Sequence, residues 1–262
     1  MADGSFAIVV ATNDAACLNQ NLLASPDVWA GHVSVNVQEG AVSASAAYNA
    51  GLAETSAEFV IFAHQDVYFP AGWFTALAAQ IEAVAAIDPH WGIIAPFGMT
   101  ADGQHIGQVW STSLGRVVGQ ELKAPVAIQS MDELVIVLRR ASGVTFDEAL
   151  PGYHMYGTDI VQTSIALGHG AFACQLPLVH NDNFHGRLGP DFTESYNFVR
   201  RKWRDALPIR TPVVWVTPSG FALRWYRLKA WRSYAKRKAM ALDVSVDPHI
   251  YAARCGWEDV AV

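Results

Sequence analysis

Four apolar segments alternate with helix-like stretches over the first 96 residues, and that alternation constrains the fold more than any other feature of the chain. Phe6-Ala-Ile-Val-Val-Ala11 is a continuous apolar run, β-branched at its centre, as expected for a strand buried on both faces. It closes on Thr12-Asn13-Asp14, a helix-capping sequence, and predicts a helix from Ala15 to about Ala24, before Ser25-Pro26. His32–Val37 alternates with period two and reads as a second strand, with Gln38-Glu39-Gly40 as its turn and Ser43–Ala53 as an alanine-rich helix. Phe59–Ala63 is a third buried strand, closed by His64-Gln65-Asp66. Pro70 then opens a helix to about Ile87, and Trp91–Pro96 is strand-like again. Strands interleaved with helices predict an α/β fold: a mostly parallel central sheet with helices on both faces.

In such sheets ligands bind at the carboxyl ends of the strands. The polar residues there are Thr12-Asn13, Gln38-Glu39 and His64-Gln65-Asp66. No glycine-rich loop follows the first strand, which argues against a dinucleotide-dependent oxidoreductase and against a P-loop. Beyond residue 96, short strands are expected around Ile106–Trp110, and further strands over Asp132–Arg139 and Ala171–His180. A helix is expected over Tyr156–Leu167, starting near Gly157-Thr158-Asp159. A boundary near Gly186–Pro190 separates residues 1–186 from an extension, 187–262, rich in Arg, Trp and Pro.

The formal charge of −6 conceals two unlike parts. Tyr196–Val262 holds 13 of the 18 Lys and Arg against 5 of the 24 Asp and Glu, a net of +8, which leaves −14 on residues 1–195. Cations and aromatics interleave most densely in Arg224–Lys238, a pattern suited to phosphates or a membrane surface, or to a helix that packs its rings inward and solvates its charges. The acidic body makes nucleic acid the poorest partner. The longest apolar runs are five or six residues, whereas a bilayer span needs about 20. Met-Ala-Asp-Gly-Ser at the start has neither a basic nor a long apolar region, so no secretory leader is expected. Three scattered cysteines, Cys17, Cys174 and Cys255, make no disulfide framework, and a cytoplasmic setting is expected, at most peripheral to a membrane.

His64-Gln65-Asp66 carries the most chemistry. An imidazole and a carboxylate two residues apart in a turn can face the same space, and Mn²⁺ or Mg²⁺ takes such ligands while keeping positions open for phosphate oxygens. The order of motifs resembles the glycosyltransferase family 2-like enzymes of GT-A fold, over roughly residues 5–186. That family's early helix has an Ala-Arg-Asn-x-Gly pattern, here Ala47-Tyr48-Asn49-Ala50-Gly51. Its Asp-x-Asp metal motif is written Leu-His-Gln-Asp-Val in one subgroup, here Ala63-His64-Gln65-Asp66-Val67. An acidic pair at a later helix start is represented by Thr158-Asp159.

The resemblance implies transfer of a sugar, with inversion, from a nucleotide-diphosphate donor to an acceptor hydroxyl on a glycan, a lipid-linked molecule or a small molecule. Asp66 and His64 would hold Mn²⁺ or Mg²⁺, with His180 as a further ligand after the last strand, unless His180 only bonds its loop. Asp159 would be the general base, unless it caps its helix. Thr12, Asn13, Gln38 and Glu39 would meet the donor base, commonly uridine, and Asn49 would bond the base or order the turn. His154 and Tyr156 would line the acceptor pocket, and Trp110 would stack on a sugar or sit in the core. A nucleotidyltransferase, or a non-catalytic nucleotide- or sugar-binding module on the same fold, are the alternatives.

Overall fold

The computed structural model describes residues 5–261; Met1–Gly4, on which the leader reading partly rests, and Val262 lie outside the described residues. Three strands, β1 (Phe6–Thr12), β2 (Ser34–Glu39) and β3 (Phe59–His64), pair in parallel with β1 in the middle. The strand Val135–Arg139 runs antiparallel between β3 and Ile93–Ala95; Ala171–Ala173 and Val126–Ala127 complete seven strands. Five of the seven share one direction, which makes the mixed α/β sheet mostly parallel.

The period-two geometry of a strand sends alternate side chains to opposite faces. Val9, Val60 and Phe62 therefore meet the helices Ala44–Glu54 and Tyr156–Ala166 on one face, through Tyr48, Tyr156 and Ile160. On the other face Ile8, Val10 and Ile61 meet Trp73, Leu77 and Val84 of the helix Trp73–Ile87. All six of these strand side chains are fully buried, each stabilising the fold by about 1.5–3 kcal/mol. Gly51 sits where the first of these helices crosses β1, and a Cβ there would lie 2.2 Å from Val9 Cγ1. Val9 is buried and stiff at χ1, so Gly51→Ala is expected to destabilise the chain by about 1–3 kcal/mol. Thermal unfolding measures this; an unchanged melting temperature would mean the helix simply slides.

Three expectations change. Gln38 and Glu39 end β2 rather than forming the turn, which begins at Gly40. The helix expected from Pro70 begins at Trp73, after Gly72 at φ 74°. Ala171–His180 is not one strand but two: Pro177 has no N–H to give a ladder, and the chain leaves the central sheet after Ala173. It re-enters as Leu178–His180 in a second sheet, ordered Val67–Tyr68, Leu178–His180, Val109–Ser111, Arg116–Val118. The C-terminal segment is helical over Pro190–Lys202, Phe221–Arg232, Tyr234–Met240 and Pro248–Arg254. Phe192, Tyr196, Val199, Ile209 and Leu223 share the apolar cluster of Val9 and Phe62, so this segment is packed onto the body.

Candidate functional site

β3 delivers His64 at its carboxyl end, and a two-residue turn delivers Asp66 before the chain enters Val67–Tyr68. Because Val67 pairs with His180 across the second sheet, and Asn181 N–H donates to the Asp66 carbonyl at 2.8 Å, residues 114 positions apart in sequence become neighbours. One donor atom from each of His64, Asp66 and His180 lies within 4.8 Å of the others. His180 Nε2 is 3.3 Å, and His64 Nδ1 3.9 Å, from Asp66 Oδ1.

Three observations fit this trio to a divalent cation. Asp66 Oδ1 is buried yet accepts no hydrogen bond, a costly state for a carboxylate oxygen unless a positive charge completes it. The Tyr156 hydroxyl lies 2.6 Å from His64 Nε2 and 3.3 Å from the Glu133 carbonyl; in the tautomer where Nε2–H donates to the hydroxyl and the hydroxyl to the carbonyl, the lone pair of Nδ1 faces Asp66. Burial, the largest influence, pushes His64 below its ordinary value and keeps that lone pair free at neutral pH, even with Asp66 opposing. Without an ion, His180 takes the counter-charge. Burial pushes it down, but Asp66 and then Asp182 hold it up at about 10. For Asp66, burial alone would raise the carboxyl; His180 and His64 hold it well below the usual carboxylate range.

A cavity of about 430 Å³ opens beside the trio, lined by Thr12, Asn13, Tyr48, His64, Gln65, Asp66, Tyr153 and Tyr156, and by the Gly40-Ala41 backbone. Gln65 fixes its floor. Its Oε1 accepts from Thr12 Oγ1 at 2.5 Å and from the N–H groups of Asn13 and Asp14, and its Nε2 donates to Asn13 Oδ1 at 2.9 Å. Tyr153 donates to the Ala41 carbonyl at 2.7 Å, tying the β2 loop over the opening. A second cavity, of about 630 Å³, lies against His180 and is lined by Asp132, Asp182, His185, Arg116, Tyr226 and Arg237 among others. The trio stands between the two.

No protein-family model matches the chain. A curated relative, "ATP synthase subunits region ORF 6" of Fuscovulum blasticum, is 29% identical over 160 residues, 55% of this chain and 60% of the relative; the chain thus spans less than two thirds of it. Solved structures resemble it at low identity. GalNAc-T7 with UDP, GalNAc and Mn²⁺ is 12% identical at a TM-score of 0.49, covering 90% of this chain and 56% of that one. The mannosyltransferase PcManGT from Pyrobaculum calidifontis, in complex with GDP-Man and Mn²⁺, is 12% identical at 0.48, covering 96% and 76%. S. aureus TarS is 13% identical at 0.48, covering 76% and 39%. The chemistry is carried by the chain's own residues.

The structure brings Thr12, Asn13, His64, Asp66 and His180 together; Tyr156 joins them, but on the cavity of Thr12 and Asn13 rather than in the acceptor pocket expected for it. Others do not. Gln38 Nε2 donates to Asn36 Oδ1 and Glu54 Oε2, and Glu39 is exposed at the end of β2; neither lines either of these two cavities. Asn49 clamps the Phe146–Glu148 loop, donating to the Phe146 carbonyl and Glu148 while accepting from Phe146 N–H. His154 sits 3.2 Å from Asp191, its ring against Phe192, away from both cavities. Trp110 is core, stacked on Tyr251.

The base expected at Asp159 needs correction. Its carboxylate is buried, takes 2.8 and 2.7 Å bonds from Lys202 Nζ and Trp203 Nε1, and faces neither cavity. Burial lifts it above its ordinary value despite those partners. Nor does it cap its helix, since its own N–H already bonds the Met155 carbonyl. Gln65, Tyr153 and Asp132 were missed as site residues. Gln65 lay inside the recognised motif; nothing in the spacing of Tyr153 or Asp132 ties either to residues 12–66.

Proposed function

We propose that the chain is a metal-dependent glycosyltransferase of GT-A type, moving a sugar from a nucleotide-diphosphate donor to an acceptor hydroxyl with inversion. The observation that carries this reading is the His64–Asp66–His180 trio, a buried carboxylate oxygen faced by two imidazoles and standing between two cavities. The first cavity suits the donor: Thr12, Asn13 and Gln65 offer amide and hydroxyl groups to a base and ribose, and the Tyr48 and Tyr156 rings exclude water. A divalent cation held by the trio, Mn²⁺ in preference to Mg²⁺ because two of the three donors are imidazoles, would neutralise charge on the departing diphosphate.

The second cavity would take the acceptor, whether glycan, lipid-linked or small molecule. Its hydroxyl oxygen would form the new bond to the anomeric carbon as the bond to the diphosphate breaks, that electron pair leaving with the phosphate. The proton would pass to Asp132, which lines this cavity and accepts only a 3.4 Å bond from Leu134 N–H, whereas Asp182 is held by Ser111 and Ser113. Glu133 lines neither cavity, and burial, then the adjacent Asp132, pushes its carboxyl up to about 8.

Calorimetric titration with UDP and with GDP tests the reading. Binding of at least one is expected with Mn²⁺ and not without; heat from neither, at any metal concentration, would overturn it. A pH dependence follows from His180. A ligand must be deprotonated to take the ion, and His180 is held near 10, so each ion bound at pH 7 displaces about one proton. Mn²⁺ affinity is expected to rise about tenfold per pH unit between pH 6.5 and 8.5. Repeating the titration in buffers of different ionisation enthalpy counts the proton; a count of zero would remove His180 from the ligand set.

A further inference from the structure

Helix Phe221–Arg232 shows its apolar residues to solvent. Inward it buries Leu223 and Ala230, and rests Ala222 and Tyr226 on the body. Outward stand Phe221, Trp225, Leu228 and Trp231, which are 62%, 52%, 40% and 62% exposed. Spacings of four, three and three residues put these side chains in one stripe along the helix. A solvated helix keeps polar residues on its outer face; this one places two tryptophans and a phenylalanine there. Ordinary packing onto the body, the alternative reading of Arg224–Lys238, leaves these rings unaccounted for.

The charges around the stripe are of one sign. Between Asp205 and Asp243 the sequence holds eight Lys and Arg and not one carboxylate. Three of the eight are engaged with the protein's own backbone: Arg210 donates to the Ala101 carbonyl, Arg227 to that of Gly189, and Arg237 to those of Gly186 and Ala230. Arg224, Lys229, Arg232, Lys236 and Lys238 are exposed, and among the described residues none of them forms an ion pair. No helix of the described chain is long and apolar enough to cross a membrane.

We propose that this face docks the chain on a membrane surface bearing anionic headgroups, with the helix lying in the interface. The four apolar side chains enter the boundary between headgroups and acyl chains, where amphipathic tryptophan is favoured, and the five free cations meet the phosphates beside them. A polynucleotide would need a groove that tracks its backbone, and this stripe lies on one convex helix. The inner side of the same segment reaches the second cavity through Tyr226 and Arg237, so docking would set that cavity's wall close to the headgroups. The docking itself is independent of the sugar-transfer reading.

Co-sedimentation of the full chain with vesicles tests it, using phosphatidylcholine alone and phosphatidylcholine mixed with phosphatidylglycerol. Binding is expected to the mixed vesicles at low salt, at least about tenfold weaker to the neutral ones, and reduced by added salt. Trp225→Ser with Trp231→Ser should weaken it at least about tenfold further while leaving the melting temperature unchanged, since both rings are exposed. Quenching of the unaltered chain's tryptophan fluorescence by brominated acyl chains is expected as well, and needs no variant. No sedimentation with mixed vesicles overturns the proposal. So does binding that the double substitution leaves intact and that shows no quenching, which would mean charge adhesion alone. Concentration-dependent dimerisation lost in the double variant, without lipid binding, would reassign the face to a second copy of the chain.

Discussion

Asp66→Asn is expected to abolish measurable Mn²⁺ binding and to lower sugar transfer about a thousandfold. The substitution keeps the side chain's size and one carbonyl-like oxygen but removes the charge on which the trio is centred. Asp66 is the only carboxylate of the three, and two neutral imidazoles alone do not hold Mn²⁺ or Mg²⁺ well. The variant should still fold. Asp66 Oδ1 accepts no hydrogen bond that the amide would break, and the backbone bond from Asn181 N–H to the Asp66 carbonyl is untouched. What the fold loses is the ion pair with His180 at 3.3 Å, and because the His180 ring can then shed its proton the loss is about 2–4 kcal/mol. Melting the variant without metal separates this loss from the large functional one. If Asn at position 66 binds Mn²⁺ as tightly as Asp does, the metal assignment is wrong, and the nucleotide-sugar reading loses the observation that carries it.

Much of the architecture was legible because its causes are local. Phe6–Ala11 and Phe59–Ala63 are apolar without interruption, as suits a strand covered on both faces; both are interior strands, paired on either side. The polar residues closing them had to fall at strand ends, so Thr12, Asn13, His64 and Asp66 were found. What failed depends on contacts between distant segments. Val135–Arg139 is as apolar as a parallel strand, and only its pairing with β3 and Ile93–Ala95 shows it reversed. Asn49 and His154 are ordinary polar residues until Phe146 and Asp191 claim them. Asp159 was misread for the same reason. Its burial is made by Lys202 and Trp203 from the C-terminal segment, across a boundary that sequence composition placed near residue 186.

Two asparagine substitutions decide which carboxylate removes the acceptor's proton. Asp132→Asn should lower kcat by about 10²–10⁴, while nucleotide binding with Mn²⁺ and the melting temperature stay as they were, because Asp132 anchors the fold through one long bond to Leu134 N–H. Asp159→Asn should do the reverse. Lys202 would keep Asp147 at 2.8 Å but lose its buried partner, and Trp203 Nε1–H would face an amide in place of a carboxylate. Stability should fall by about 1–3 kcal/mol, with kcat little changed in the folded fraction. The split matters because a structural role and a catalytic role both reduce activity in a crude assay. Only the pairing of kcat with melting temperature tells them apart. Should Asp159→Asn stop turnover with no loss of stability while Asp132→Asn remains active, proton removal returns to Asp159, and Lys202 must then swing away from it during each catalytic cycle.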